Sequence, residues 1–392
     1  MTLVLAILIA PLALLTFCFA IELLAGLRPL PRRILPAPGA ATAVVIVPAH
    51  DEEAILSGRL TALRDAARDR ARILVVADNC ADSTAEIARK VGVEVIERSD
   101  PARRGKGFAL DFAKRYLQAD PPDVVLIIDA DCATDAESIS RLVACCAAAG
   151  SPCQATNLQA PLPGSSPAVK LSTFAFFIKN VIRQRALERL AGRAHLLGTG
   201  MALPWKIFED AELATGNIVE DLKLGQDLAE AGHPPIFIEG ATIWSNAETE
   251  GNTLSQRQRW EGGFLRNAIR SGPAIFGRSL RNGDLRGLWA AINIIIPPFA
   301  LLIMLDLAAI ALASPVVFLT GGRWWPIIAL AAIVVLAGTA LSLAWAAGGS
   351  RFVSLGDLAR APLYLAWKLP LYLGFVRGGA PKGWHRTDRG AA

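Results

Sequence analysis

The sequence predicts an α/β domain on a mostly parallel sheet with helices on both faces, joined to α-helical transmembrane segments. Three observations predict it. From Ala43 onward, short apolar runs alternate with polar helical stretches, as expected of strands buried between two helix layers. Near the start and again late in the chain lie apolar runs long enough to cross a bilayer. Of the 392 residues, 53% are hydrophobic and only 19% charged, too apolar for a purely soluble protein and far from a disordered or low-complexity chain.

Forty Lys and Arg against 35 Asp and Glu give a formal net charge of +5, too mild to imply nucleic acid as a partner. The six cysteines, Cys18, Cys80, Cys132, Cys145, Cys146 and Cys153, form no C-x-x-C pair. That argues against a zinc site and a disulfide framework, and for a reducing cytoplasm around the soluble part.

Leu3–Leu24 is almost uninterrupted apolar sequence, broken by Pro11 and Glu22. No Lys or Arg precedes it, so a retained helical anchor is expected rather than a signal peptide. Arg28, Arg32 and Arg33 follow and place the downstream side in the cytoplasm. Ala43–Val47, Ile73–Ala77, Val93–Ile96 and Val124–Ile128 then read as strands. Glu52–Ala67, Ser83–Val91 and Gly107–Leu117 read as helices between them, with Ser83 and Glu86 at capping-box spacing.

In parallel sheets ligands bind beyond the carboxyl ends of the strands. Pro48-Ala49-His50-Asp51-Glu52 follows the first strand, Asp78-Asn79 the second and Asp129-Ala130-Asp131 the fourth. Each alone is an ordinary turn or cap. Three on one edge point to a site. A dinucleotide-binding sheet would carry G-x-G-x-x-G after its first strand, where this chain has proline and acids that repel phosphate. Acids near a nucleotide make sense when a divalent ion bridges them to phosphate, and Asp129 and Asp131 supply hard oxygen ligands for Mg²⁺ or Mn²⁺.

Two further spans are expected at Trp289–Ala313, kinked at Pro297-Pro298, and at Pro326–Ala347, joined by an outside loop from Ser314 to Trp325. Neighbouring helices must shelter Asn293 and Asp306. Pro362–Val376 is short and carries Lys368 and Pro370, and it reads as a helix in the cytoplasmic interface ahead of a basic tail, Lys382–Arg389. His195 and His233 have no partner at metal spacing and read as structural. Phe174, Phe176, Phe177 and Ile178 fit either a helix core face or a helix on the membrane surface.

With these residues in place the chain resembles a membrane-bound member of glycosyltransferase family 2, of the bacterial exopolysaccharide and polysaccharide-synthase type. The resemblance covers roughly Ala43 to Arg270 in the family order of motifs. Pro48 to Glu52 is similar to P-x-(aromatic)-N-E, with His50 and Asp51 as substitutions. Val75-Val76-Ala77-Asp78 is similar to V-V-D-D, with Ala77 departing at the first acid. Arg104-Gly105-Lys106-Gly107 resembles the basic loop near the donor, and Asp129-Ala130-Asp131 the metal-binding D-x-D. Gly198-Thr199-Gly200 resembles the small-residue loop at the acceptor, Val219-Glu220-Asp221 the T-E-D motif, and Gln256-Arg257-Gln258-Arg259-Trp260 matches Q-x-x-R-W.

The resemblance implies the GT-A fold and inverting transfer from a nucleotide sugar, with UDP the implied nucleotide. It implies a lipid-linked or growing glycan as acceptor, at the bacterial inner membrane. Pro48, His50, Asp51, Glu52, Asp78, Lys106 and Asp129 would meet the donor, and Asp129 and Asp131 a Mg²⁺ or Mn²⁺ ion. Asp221 would be the base beside Glu220. Gln256, Arg259 and Trp260 would complete the catalytic set, with Trp260, Gly198, Thr199 and Gly200 toward the acceptor. From spacing alone Glu220-Asp221 reads as a solvated helix start, and Arg257 and Arg259 equally as interfacial arginines.

The implied organisation is an N-terminal transmembrane helix (1–27), a cytoplasmic GT-A domain (28–254) and an interfacial amphipathic segment (255–288). Two transmembrane helices (289–347) and the interfacial helix with its tail (348–392) follow. A polysaccharide export component, a catalytically silent nucleotide-sugar sensor, and a processive synthase working as a homo-oligomer or with export proteins are the alternatives.

Overall fold

The computed structural model describes residues 2–31, 41–215, 219–247 and 249–378, so Arg32, Arg33 and the basic tail lie outside the described residues. In chain order the first elements are α1 (Thr2–Gly26), β1 (Ala43–Ala49), α2 (Glu53–Ala67), β2 (Arg72–Asp78), α3 (Thr84–Val91), β3 (Glu94–Arg98) and α4 (Lys106–Leu117). There follow β4 (Val124–Ile127), β5 (Ala133–Thr134), α5 (Ala136–Ala149), β6 (Cys153–Ala160), α6 (Pro167–Phe177), α7 (Arg183–Ala191), β7 (Met201–Pro204) and α8 (Trp205–Asp210). The chain continues through α9 (Glu220–Glu230), β8 (Ile236–Asn246), α10 (Glu250–Arg281), α11 (Leu285–Ile295) and α12 (Phe299–Thr320), and then α13 (Trp325–Ala346), α14 (Leu355–Leu358) and α15 (Ala361–Gly378). The described parts of Pro29–Leu162 and Gly192–Glu248 form a sheet unit, and those of Met1–Arg28, Pro163–Ala191 and Thr249–Pro381 a helical unit.

The sheet has eight strands in the order β3-β2-β1-β4-β7-β6-β8-β5. The first four are parallel, as expected; β7 runs antiparallel to β4 and β6, and β6 parallel to β8. Both faces are covered, which explains the unbroken apolar runs. Val45, Val47 and Val75 pack with Leu56 and Leu60 of α2 and Leu142 of α5, while Val44, Ile46 and Val76 pack with Leu110 of α4, Phe208 of α8 and Leu224 of α9. Ser83 does sit before α3, but the capping box does not form. Asp82 takes its place: its carboxylate accepts from Thr84 N at 2.9 Å and Glu53 N at 3.0 Å.

In the helical unit three helices are long and apolar enough to cross a membrane: Thr2–Gly26, Phe299–Thr320 and Trp325–Ala346. Ile9, Ala313, Val317, Ile327 and Leu330 pack them together. The second differs from the expected Trp289–Ala313. Two consecutive prolines remove two N–H donors and push the preceding residue out of helical geometry, so Pro297-Pro298 separates α11 from α12 instead of kinking one span. Helix α12 then runs on to Thr320 and stops at Gly321, which shortens the expected Ser314–Trp325 loop.

The polar residues of these helices are sheltered by partners, as required in an apolar setting. Thr16 donates to Asp306 at 3.0 Å. Glu22 receives Arg183 Nε and Asn293 Nδ2, both at 2.7 Å, and is 1% exposed. Where α1 ends, a Cβ on Gly26 would fall 2.0 Å from the Ile182 carbonyl oxygen, so only glycine lets the backbones touch there. Ile182 closes a π-helical turn, Ile178–Ile182, between α6 and α7. Phe174, Phe176, Phe177 and Ile178 are buried, which settles them as a core face and draws 163–191 into the helical unit. Lys368 of α15 is also buried, ion-paired with Glu261 of α10, whose other oxygen accepts from Tyr372 at 2.7 Å.

Candidate active site

The strand register brings three of the expected clusters to one edge. Pro48 pairs with Val76 and Ala49 with Ala77, while Ile46 pairs with Ile127, so β1, β2 and β4 end side by side. Pro48 itself stays within β1 and Glu52 is the N-cap residue of α2. His50 lies 2.6 Å through Nδ1 from the Asp78 carbonyl oxygen. Asp51 accepts from Ala81 N at 2.7 Å, and Glu52 N donates to Thr84 Oγ1 at 2.8 Å. The turns after β1 and β2 are thus laced together by polar contacts.

Asp78 is buried and meets a partner that the motif does not predict. Arg98 Nη1 donates to its Oδ1 at 2.6 Å, and Asn79 Nδ2 donates to the same oxygen at 3.0 Å. Arg98 also reaches Asp100 at 3.2 Å and lies over the Phe108 ring. Asp100 N in turn donates to Asn79 Oδ1 at 2.7 Å. Asp78 is therefore one member of a four-residue network with Asn79, Arg98 and Asp100. The signal was a basic residue ending the edge strand β3, which a motif scan passes over.

Lys106, the first residue of α4, is ion-paired with Asp129 and donates to the Gly198 carbonyl at 2.6 Å. Burial disfavours its charge, but Asp129, Glu220 and Asp221 outweigh this and hold its pKa above the ordinary lysine value. The loop 197–200 is fixed from beneath by Gln154 of β6, which is fully buried: its Oε1 accepts from Leu197 N at 2.8 Å and its Nε2 donates to Thr199 O at 2.9 Å. Gly200 is knitted into the sheet, its N donating to Ile127 O at 2.8 Å. Thr199 is buried, and its hydroxyl accepts from Asp129 N at 3.1 Å. Gly198 borders the charged groups: at φ +82°, a Cβ there would lie 3.2 Å from Asp221 Oδ2 and 3.8 Å from Lys106 Nζ.

Glu220 and Asp221 open α9, and a narrow cleft is lined by Lys106, Leu110, Met201, Glu220, Asp221 and Leu224. Burial first, then the neighbouring Asp221 charge, pushes Glu220 up to about 8. This pair is not the solvated helix start that spacing alone suggests.

Donor atoms of Asp129, Asp131 and Cys132 lie within 4.8 Å of one another. Burial, with the charges of Asp131 and Asp129, holds the Cys132 thiol protonated, well above its ordinary pKa. Asp129 and Asp131 supply carboxylate oxygens, which fit a hard ion such as Mg²⁺ or Mn²⁺. His195 and His233 belong to no such group among the described residues.

A family model described as glycosyltransferase like family 2 matches residues 38–263, more than half of the chain. The chain belongs to glycosyltransferase-like family 2. It is a glycosyltransferase. Among solved structures it is similar to a mannosyltransferase from Pyrobaculum calidifontis in complex with GDP-Man and Mn²⁺. That match is 17% identical with a TM-score of 0.55 and covers 96% of this chain and 99% of that one. A glucosyl-3-phosphoglycerate synthase from Mycobacterium tuberculosis, in complex with Mg²⁺ and uridine-diphosphate, is 19% identical with a TM-score of 0.40 and covers 59% and 83%. The first likeness carries the fold, a GT-A-like sheet with its helices. No curated protein matches the chain significantly.

The family 2 match ends within α10, which carries the Q-x-x-R-W residues in the helical unit. Arg257 is buried there, donating to Ser172 Oγ at 2.8 Å and Ser172 O at 3.1 Å beneath the rings of Phe176 and Trp260. It is a packed core arginine, not an interfacial one. Trp260 is half-buried with its ring centroid 6.0 Å from that of Phe176, while Gln256 and Arg259 are half-buried on the same helix.

Proposed function

We propose that this glycosyltransferase is a membrane-anchored inverting enzyme that transfers a sugar from a UDP-sugar to a lipid-linked or growing glycan at the cytoplasmic face of a bacterial inner membrane. The observation that carries the reading is the Lys106–Asp129 pair beside Asp131, Glu220 and Asp221 in a sheet edge of GT-A type. Three membrane-length helices support the location, and Arg28 after α1 supports the orientation.

In this reading Asp129 and Asp131 hold a Mg²⁺ or Mn²⁺ ion, which when bound neutralises the leaving diphosphate. Lys106 adds a fixed positive charge on the same side. Asp221 takes the proton from the attacking acceptor hydroxyl, so that the alkoxide forms only as the bond to the anomeric carbon does. Glu220, held up at about 8, keeps its proton at neutral pH and spares the pocket a second adjacent charge. Pro48, His50, Asp51, Glu52 and Asp78 border the donor, and Gly198 leaves room beside Asp221 for the acceptor. The family resemblance also gives Gln256, Arg259 and Trp260 of the Q-x-x-R-W motif roles in this reaction.

The test is product analysis of the detergent-purified chain with labelled donors. GDP-sugars belong beside UDP-sugars in the panel, because the mannosyltransferase of like fold carries GDP-Man. Transfer is expected with a divalent ion and not in Asp131→Ala. Full turnover in excess chelator would remove the metal from the reading, and no turnover with any donor would remove the reading itself.

A further inference from the structure

The second half of α10 presents a face that the transfer chemistry does not use. Between Gly262 and Gly283 stand four arginines, Arg266, Arg270, Arg278 and Arg281, and no Asp or Glu. All four are exposed. So are Ile269, Pro273, Phe276 and Leu280, with Ile269 at 77% and Leu280 at 61%. At about 3.6 residues per turn these apolar positions share a stripe about 60° wide, and the arginines span roughly 120° beside it. The remaining face is packed. Ala268, Gly272 and Ser279 are buried, and a Cβ on Gly272 would lie 2.7 Å from Ile295 Cγ1 of α11.

Such a face has two candidate surroundings. Water satisfies the arginines but leaves a contiguous apolar stripe wet, at roughly 25 cal/mol for each Å² exposed. The boundary between lipid headgroups and acyl chains satisfies both, because the stripe sinks among acyl chains while the guanidinium groups stay level with the phosphates. The chain itself sets the distance to that boundary. Gly272, midway along the face, packs against Ile295 at the end of α11, and only residues 296–298 join α11 to the membrane-length α12. Three residues reach at most roughly 11 Å, so the face lies beside the point where α12 starts. Guanidinium groups pair their N–H donors with phosphate oxygens, and four of them with no acid in the same stretch favour lipids of net negative charge over zwitterionic ones. A second copy set on the same stripe would bring arginines toward arginines, which disfavours that occupant.

We propose that residues 266–281 form a binding surface for anionic phospholipids, lying in the plane of the bilayer interface beside α12. The sequence leads one to expect an amphipathic interfacial segment over 255–288. In the structure Arg257 and Glu261 tie the first part of α10 into the helical unit, so the lipid surface is shorter than that segment and selects by charge. This surface presupposes the membrane location proposed above, but none of the sugar chemistry.

Phosphatidylglycerol and phosphatidylcholine are the probes, offered together in equal amount to the full chain in neutral detergent, with the retained lipid read by native mass spectrometry. The wild-type chain is expected to retain phosphatidylglycerol preferentially. At the usual strength of an arginine near an anionic surface each contributes about fivefold, so Arg270→Gln with Arg281→Gln should lower that preference by up to about 30-fold. Both positions are exposed, and Arg270→Lys with Arg281→Lys, which keeps the charge, is expected to retain the preference. Hydrogen exchange over 266–281 in phosphatidylcholine nanodiscs, with and without phosphatidylglycerol, is the second arm. Slower exchange with the anionic lipid is expected in the wild type and not in the glutamine double variant. Equal retention of the two lipids by the wild type would overturn the proposal, as would a change of less than about twofold in the glutamine variant. Protection that arises in detergent alone and grows with protein concentration would also overturn it, by assigning the stripe to a second copy. A chain that shows the lipid preference yet transfers no sugar would support the surface and count against the proposed function, so the two fail separately.

Discussion

Replacing Arg98 by methionine removes a charge at the end of β3 while keeping much of its stem. The guanidinium lies 2.6 Å from Asp78, and both side chains are about nine-tenths buried, 9% and 10% exposed. Two unit charges at that distance attract by about 6 kcal/mol at an effective dielectric constant of 20, a gain largely offset by the cost of drying both groups. Removing one partner forfeits the attraction and leaves the other group dry, which costs about 3–5 kcal/mol. The contact with Asp100 and the Phe108 ring adds at most about 1 kcal/mol. Arg98→Met should therefore destabilise the sheet unit by about 3–5 kcal/mol, while Asp78→Asn with Arg98→Met should recover most of that loss. Denaturant unfolding of the four proteins of the cycle, in one detergent, measures it. A cost below about 1 kcal/mol for Arg98→Met, or a double variant no more stable than Arg98→Met, would refute the reasoning.

Asp221→Asn should keep UDP affinity and lose transfer, since an amide cannot take the acceptor's proton; calorimetry and a product assay on one sample check it, and equal losses would assign the residue to binding. Gly198→Ala should cost about 1–2 kcal/mol of stability for its left-handed backbone. It should lower turnover further, because the new methyl sits 3.2 Å from Asp221 Oδ2; unfolding and kinetics on the same preparation separate the two. Glu220 has an ordinary carboxyl pKa of 4.5 and is pushed up to about 8 when folded, so between those values the folded chain binds the extra proton. Its stabilising contribution is thus complete below about 4.5 and lost as pH rises through about 8, at no more than about 1.4 kcal/mol per pH unit. Glu220→Gln should flatten that decline, and identical stability–pH slopes for variant and wild type would show that Glu220 does not titrate there.

The parallel half of the sheet was legible because strands buried on both faces leave continuous apolar runs, as in Val44 to Val47. The other half was not. Strand β6 reads Cys153-Gln154-Ala155-Thr156-Asn157-Leu158-Gln159, and four of those polar side chains are buried, so no apolar period marks it. Gln154, which positions the loop 197–200, was hidden for that reason. The edge acids stood out because register, not separation in sequence, decides what meets at strand ends. Arg98 was missed because its partner Asp78 lies across strands. Pro297-Pro298 was visible, but two prolines end a helix more often than they bend one.

The Glu22–Arg183–Asn293 cluster also bears on how the chain is made. Glu22 leaves the ribosome 161 residues before Arg183 and 271 before Asn293. At about 5–20 residues per second, α1 waits roughly 8–32 s for its cation. During that interval a carboxyl group near the end of an otherwise apolar helix has neither of its final partners, so stable burial of α1 is deferred until α7 has been synthesised. The amide of Asn293 arrives later still, when α11 emerges. The order of synthesis therefore makes the first helix among the last to be locked in place.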